Sequence, residues 1–275
     1  MSINWFPGHM NKARREIAEA MGGTDVVIEV LDARLPAASR NPLLRELRGD
    51  KPCITVLNRD DLADPALTAL WLKKLQSETG VRVVAISAKE KSQAKRLVSL
   101  ARELVPGRGV AAKPIRAMVV GIPNVGKSTL INTLKGRAVA DVGNKPAVTK
   151  RRQLVQIAKF IMLADTPGVL WPKIEDAADG YRLAASGAIG DKAMDSLQVA
   201  SFAVQYLMQA YAERLRERFG IDGVGDDPHE WIEAIGRRRG CLIRGGEVDL
   251  YKASDVLLHD LRTGKLGRIS FERPD

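Results

Sequence analysis

Cysteine is nearly absent: the 275 residues hold two, Cys53 and Cys241. They form neither a metal-binding spacing nor a disulfide framework, which excludes disulfide scaffolds and cysteine-zinc modules. No apolar run approaches the roughly 20 residues that cross a bilayer, so membrane insertion is excluded. The N-terminal MSINWFPGHMNKARRE lacks the apolar core of a secretory signal, and Glu16 and Glu19 count against an organellar address. A cytoplasmic protein is expected. There is no internal repeat and no low-complexity segment. What remains is 45% hydrophobic and 28% charged, an ordinary balance for one large or two ordinary packed domains.

Acidic charge is also scarce where it would be needed for balance. The net charge is +10, but residues 176–275 carry 14 Lys+Arg against 17 Asp+Glu, so residues 1–175 hold +13. Residues 87–116 contain eight basic and two acidic side chains, and residues 135–159 seven and one. Such a surplus favours a polyanionic partner, most simply RNA. It gives no sequence readout, and a solvated basic surface has the same composition.

The stretch around which the chain is organised is RAMVVGIPNVGKSTL, residues 116–130. An apolar run enters a turn that matches G-x-x-x-x-G-K-S/T from Gly121 to Ser128. Gly121 and Gly126 let the backbone bend so that successive N–H groups face phosphate oxygens. Lys127 brings a point charge to the β- and γ-phosphates, and Ser128 offers a hydroxyl to Mg²⁺. The helix from Ser128 sets its positive end under the phosphates. Asn124, Val125, Gly126, Lys127, Ser128 and Thr129 are the expected phosphate-binding set.

Other parts of such a site lie on both sides. The strand 52–57 ends in Asn58-Arg59-Asp60-Asp61, which resembles N-K-x-D with Arg in place of Lys. A carboxylate at Asp61 accepts from N1–H and the 2-amino group of guanine, and adenine offers neither. Asn58 would brace the loop, and the Arg59 stem would cover one purine face. The strand 81–86 runs into Ser87-Ala88-Lys89, resembling the loop that meets guanine O6 through a backbone N–H. After the phosphate loop, the Gly/Pro-containing stretch 142–149 offers Thr149 as the threonine that closes on Mg²⁺ and the γ-phosphate. Asp165-Thr166-Pro167-Gly168 matches D-x-x-G: Asp165 would hold Mg²⁺ through water, and the Gly168 N–H would sense the γ-phosphate.

The pattern predicts a short arm around Trp5–Met10, a helix over 11–21, a first strand over 24–31, helices over 41–48, 66–78 and 92–104, and strands over 153–158 and 160–164. From about Ala177 the chain reads as helical, with helices over 195–219, 228–239 and 248–261, then a short extended segment at 264–271. We therefore expect an N-terminal arm and helix (1–22), a phosphate-loop α/β domain with a mostly parallel sheet (23–175) and an all-α domain (176–275). No heptad or exposed apolar repeat suggests self-association, so a monomer is expected.

The motifs run 58–61, 87–89, 121–128, 149, 165–168, whereas ordinary GTPases place the first two last. This order is a circular permutation, joined through the Gly/Pro-rich stretch 106–114. With W-F-P-G-H-M at the start, D-A-R-x-P after the first strand and G-K-L-G-R-I-S at the end, the chain resembles the YlqF/RbgA family of circularly permuted GTPases. The resemblance implies GTP and GDP as ligands, Mg²⁺, hydrolysis stimulated by the large ribosomal subunit, and a helical domain that contacts ribosomal RNA; no DNA is implied. It also implies that His9 orients the attacking water, since Val169 stands where Ras-like proteins carry Gln. A neutral imidazole accepts a hydrogen bond from water near pH 7. Asn124 resembles a K⁺ ligand. Two departures are Arg59 and Ala147, which stands where the family commonly has Gly. The residues also fit a GTPase with another RNA target, or an RNA-binding scaffold that binds GTP and hardly turns it over.

Overall fold

The computed structural model describes residues 7–136, 153–166, 174, 176–190 and 193–274; the side chains of 7–13, 153 and 165 lie outside the description. Among the described residues six strands form one sheet: β1 (Val26–Asp32), β2 (Cys53–Asn58), β3 (Val81–Ile86), β4 (Ile115–Val120), β5 (Gln153–Ala158) and β6 (Ile161–Asp165). Their order is β3-β2-β1-β4-β6-β5. All pairings are parallel except β5 with β6 at the edge. Every residue of β1 and β2 is buried, as expected of central parallel strands covered on both faces. Glu29 is a buried charge in the middle of β1. Arg40 pairs with it at 3.2 Å, and the Thr55 hydroxyl donates to it at 3.3 Å, which offsets the cost of its burial.

Helices α1 (Pro7–Gly22), α2 (Pro42–Arg48) and α3 (Pro65–Gln76) cover one face of the sheet. Helices α4 (Lys91–Leu104) and α5 (Lys127–Lys135) cover the other. The expected arm is shorter than the sequence suggests, because Pro7–Met10 already belong to α1. A proline fixes φ near the helical value and has no N–H to leave unpaired at the first helical position.

The helical half comprises α6 (Ala177–Ser186), α7 (Ser196–Ala210), α8 (Ala212–Phe219), α9 (Pro228–Arg239) and α10 (Leu250–Arg262). α7 packs against α6, α9 and α10, with Val204, Leu207, Trp231, Ile235 and Leu257 buried between them. The run expected as one helix over 195–219 breaks at Tyr211, whose φ is −145°. Its hydroxyl donates to Asp64 Oδ2 at 3.1 Å, so the break aims the ring at the sheet domain. Asp64 is also the N-cap of α3, accepting from Ala66 and Leu67 N–H. Such a cap is worth about 1 kcal/mol.

The chain ends as a strap, residues 264–272, laid across the sheet domain. Leu266, Ile269 and Phe271 are buried. The Phe271 N–H donates to Arg34 O at 2.7 Å. The Glu272 carboxylate accepts from Ala37 N–H at 2.7 Å and Ala38 N–H at 2.9 Å. Trp71 Nε1–H closes on the Glu272 carbonyl at 3.2 Å.

Burial pushes the Glu272 carboxyl up to about 7, against the two N–H donors. A raised acid favours the folded state when protonated. Its contribution is complete below the ordinary value of 4.5 and is lost as pH rises through about 7. We expect the stability of the wild type to fall over that window relative to Glu272→Gln, by at most about 1.4 kcal/mol per pH unit. Denaturant unfolding at a series of pH values checks this, and parallel profiles for the two proteins would contradict it.

Candidate functional site

The carboxyl ends of β1, β2, β3, β4 and β6 lie on one edge of the sheet, where open α/β sheets place their ligands. After β4 the chain turns through Gly121–Gly126 into α5. Gly121 has φ +149°, and a Cβ there would lie 2.5 Å from the Val30 carbonyl oxygen. Gly126 has φ +100°, and its Cβ would lie 2.2 Å from Asn58 Nδ2. Asn124 adopts a left-handed φ of 57° without being glycine. Lys127 is buried, and its Nζ donates to Gly121 O at 3.1 Å and Ile122 O at 2.8 Å. The ammonium thus lies over the turn, and Ser128 and Thr129 follow in the first turn of α5. The cradle, its cation and its hydroxyls fit a Mg²⁺-bound polyphosphate.

Asn58 joins three loops. Its Nδ2 donates to Val125 O at 2.6 Å, and its Oδ1 accepts from Ala88 N–H at 2.8 Å. The brace expected of this residue therefore has a specific form. One backbone N–H of the S-A-K loop, that of Ala88, is paired with Asn58. Gln93 Oε1 accepts from Ser87 N–H at 2.8 Å and fixes the start of the same loop.

Arg59 has φ +63°, and its head group points away from a simple stacking role. Nη2 donates to Asn124 O at 2.6 Å; Nη1 reaches Asp32 Oδ2 at 3.3 Å and Ser186 O at 3.4 Å. Asp32 and Arg34 form a buried fork, with Nε to Oδ1 at 2.9 Å and Nη2 to Oδ2 at 2.8 Å. Burial opposes the Asp32 charge, but Arg34 and then Arg59 outweigh it and hold the carboxyl below its usual value.

The helical half reaches this edge through the end of α6. Its carbonyls accept from four side chains. Arg34 and Arg59 meet Ser186 O, Asn124 Nδ2 meets Gly187 O at 3.1 Å, and Arg262 meets Ala184 O at 2.8 Å and Ala185 O at 3.2 Å. Cations suit the negative end of a helix. A cavity of about 680 Å³ lies between the halves. Asn58, Asp61 and Lys89 line it on one side, Asp255 and His259 of α10 on the other.

The remaining expected residues are partly outside view. Thr149, Gly168, Val169 and Ala147 lie outside the described residues. Asp165 ends β6, and His9 lies in the first turn of α1, each with its side chain outside the description. Next to Asp165, Thr166 Oγ1 donates to Val119 O at 2.6 Å and holds the end of β6 beside β4.

A family model described as 50S ribosome-binding GTPase matches residues 116–216. Ribosome biogenesis GTPase A of Bacillus cereus is 44% identical, covering all of this chain and 95% of the relative. The chain belongs to the ribosome biogenesis GTPase A (YlqF/RbgA) family. Ribosome biogenesis GTPase A of Priestia megaterium is 43% identical over all of this chain and 98% of its own. Among solved structures, GNP-bound YlqF from T. maritima is 29% identical with a TM-score of 0.68, covering 96% of this chain and 99% of that one. A GDP-bound structure of TM YlqF is 28% identical with a TM-score of 0.70, covering 94% and 99%.

The fold class expected from the sequence, a mostly parallel GTPase sheet followed by helices, is the one found. Within this family fold, sequence reasoning missed the α6 carbonyls, the α10 wall and the roles of Asp32 and Arg34. The D-A-R-x-P signature was the available signal for the last two.

Gly126→Ala would drive a methyl group into Asn58 and force a strained φ. We expect guanine-nucleotide affinity to fall roughly tenfold or more, read by titration with a fluorescent GDP. Unchanged affinity would contradict the geometry assigned to the turn.

Proposed function

We propose that this GTPase binds the large-ribosomal-subunit precursor with GTP in place, and that hydrolysis to GDP and phosphate favours release, as a maturation switch in ribosome assembly. A GTPase role in ribosome assembly follows from the family. The observation that carries the site is Asn58, which binds the phosphate loop to the S-A-K loop and leaves Asp61 at the cavity. That arrangement supports a guanine base against Asp61, with Lys89 beside it and the Arg59 stem along one face. The phosphates would lie over Gly126–Thr129, with Lys127 supplying charge. Mg²⁺ supplies charge neutralisation at the β- and γ-oxygens. Ser128 and Thr149 would hold it directly and Asp165 through water, and the Gly168 N–H would register the γ-phosphate.

Asn124 is the candidate K⁺ ligand. Its Nδ2 donates to Gly187 O, and Oδ1 is the side-chain atom that can ligate a cation. His9 is the proposed water-orienting residue, and its place in the first turn of α1 makes its reach depend on how that helix docks. The +13 charge of residues 1–175 supports rRNA contact through the GTPase domain, with the acidic helical half contributing shape and local contacts.

GTP turnover in KCl and Mg²⁺, with and without purified large subunits, tests this reading. We expect strong stimulation by the subunit, loss of that stimulation in His9→Ala, and slower turnover when NaCl replaces KCl. Binding of GTP without stimulation would favour another RNA target or a scaffold, and stimulation that survives in His9→Ala would remove that role.

A further inference from the structure

None of the expected phosphate- or metal-binding residues lies in the closing G-K-L-G-R-I-S run. Its contacts nevertheless concentrate on one loop. Arg268 donates from Nη2 to Asp60 O at 2.7 Å and to Asp60 Oδ1 at 3.2 Å, and from Nε to Ala63 O at 2.7 Å. The Ile269 N–H donates to Leu62 O at 2.8 Å. The Asp64 N–H donates to Ser270 Oγ at 3.0 Å. Leu62 packs on Gly264 so closely that a Cβ there would lie 2.6 Å from Leu62 Cδ2. These bonds fall on Asp60, Leu62, Ala63 and Asp64, on both sides of Asp61.

We propose that the C-terminal strap is the outer brace of the guanine-selecting loop, and that Arg268 is a positioning residue that sets the Asp61 carboxylate. The proposal rests on the reading of Asp61 as the guanine acceptor. Asp60–Leu62 is a single 3₁₀ turn entered from a left-handed Arg59. Its own bonds are Leu62 N–H to Arg59 O and Ala63 N–H to Asp60 O. One such turn is marginal alone, so bonds from outside decide where its side chains point. Arg268 supplies three of them from a planar fork that reaches two carbonyls at once, a geometry a lysine does not reproduce.

The strap is itself held fast. Arg214 donates to Arg268 O, the Tyr206 hydroxyl donates to Ser270 O at 2.9 Å, and Glu272 is anchored on Ala37 and Ala38. Arg214 and Tyr206 belong to α8 and α7. The helical half therefore sets the loop that selects the base. Selection needs this accuracy, because a carboxylate accepting from N1–H and the 2-amino group must meet both donors within hydrogen-bond geometry.

The test compares affinity for GDP with affinity for IDP, which lacks the 2-amino group, in wild type, Arg268→Ala, Arg268→Lys, Asp61→Ala and the Arg268→Ala/Asp61→Ala double variant. A merely structural role would weaken both nucleotides equally. We expect Arg268→Ala to lower the GDP:IDP preference roughly tenfold, about the worth of one charge-assisted hydrogen bond. Arg268→Lys should recover part of it. In the double variant the Arg268 change should add nothing further to the ratio. If Asp61→Ala collapses the preference and Arg268→Ala leaves it intact, the positioning role is overturned and the site reading stands. If Asp61→Ala leaves the preference intact, the site reading fails and the proposal with it. Should Arg268→Ala not fold, Ser270→Ala, which deletes only the bond to Asp64 N–H, takes its place with the same outcomes.

Discussion

At the carboxyl end of β1 a carboxylate and a guanidinium, each 1% exposed, face one another: Asp32 and Arg34. Neither charge can be left alone at that depth. Removing one partner of such a pair costs about 3–5 kcal/mol, because the other is left buried and uncompensated. The same pair collects the rest of the site. Arg59 brings the loop after β2 to Asp32 and the phosphate-loop carbonyl of Asn124. Arg34 brings the end of α6 through Ser186 O and the C-terminal strap through its own carbonyl. One buried ion pair thus fixes four segments that are far apart in sequence.

The function follows from what those segments are. The loop after β2, the phosphate loop, the end of α6 and the strap share bonds, and the cavity beside them has walls from both halves of the molecule. A displacement of Asn124 breaks a bond to Gly187, and a displacement of Arg59 breaks one to Ser186. Permutation makes this arrangement economical. The chain leaves β6 through D-T-P-G and enters α6, whose far end returns to the phosphate loop. The end of α6 meets the phosphate loop at Asn124, and α10 lines the cavity from the other side.

Much of this was legible in the sequence, for a physical reason. Phosphate and guanine chemistry need particular residue types at fixed spacing on a strand–loop–helix unit; Gly121–Ser128, Asn58–Asp61 and Ser87–Lys89 match those patterns locally, and the fold brings the three loops to one cavity. Buried parallel strands read as apolar runs, and capped helices such as Pro228–Arg239 announce their start. The rest depends on partners distant in sequence. No glycine or proline near Tyr211 marks the break in its helix, and the partner of its hydroxyl, Asp64, lies 147 positions away. Arg59 reads as a substitute lysine until Asp32 and Asn124 are seen to hold its head. The strap reads as a short extended tail because its bonds go to residues 60–64, about two hundred positions earlier.

The central claim is that the cavity between the halves is the nucleotide site, built by both of them. Amide hydrogen exchange with and without GDP tests it most directly. The account predicts that GDP slows exchange in the phosphate loop and also in α10 and at residues 264–272, through the shared cavity and the bonds to the guanine loop. Protection confined to the phosphate loop and residues 58–64, with α10 and the strap unchanged, would contradict it.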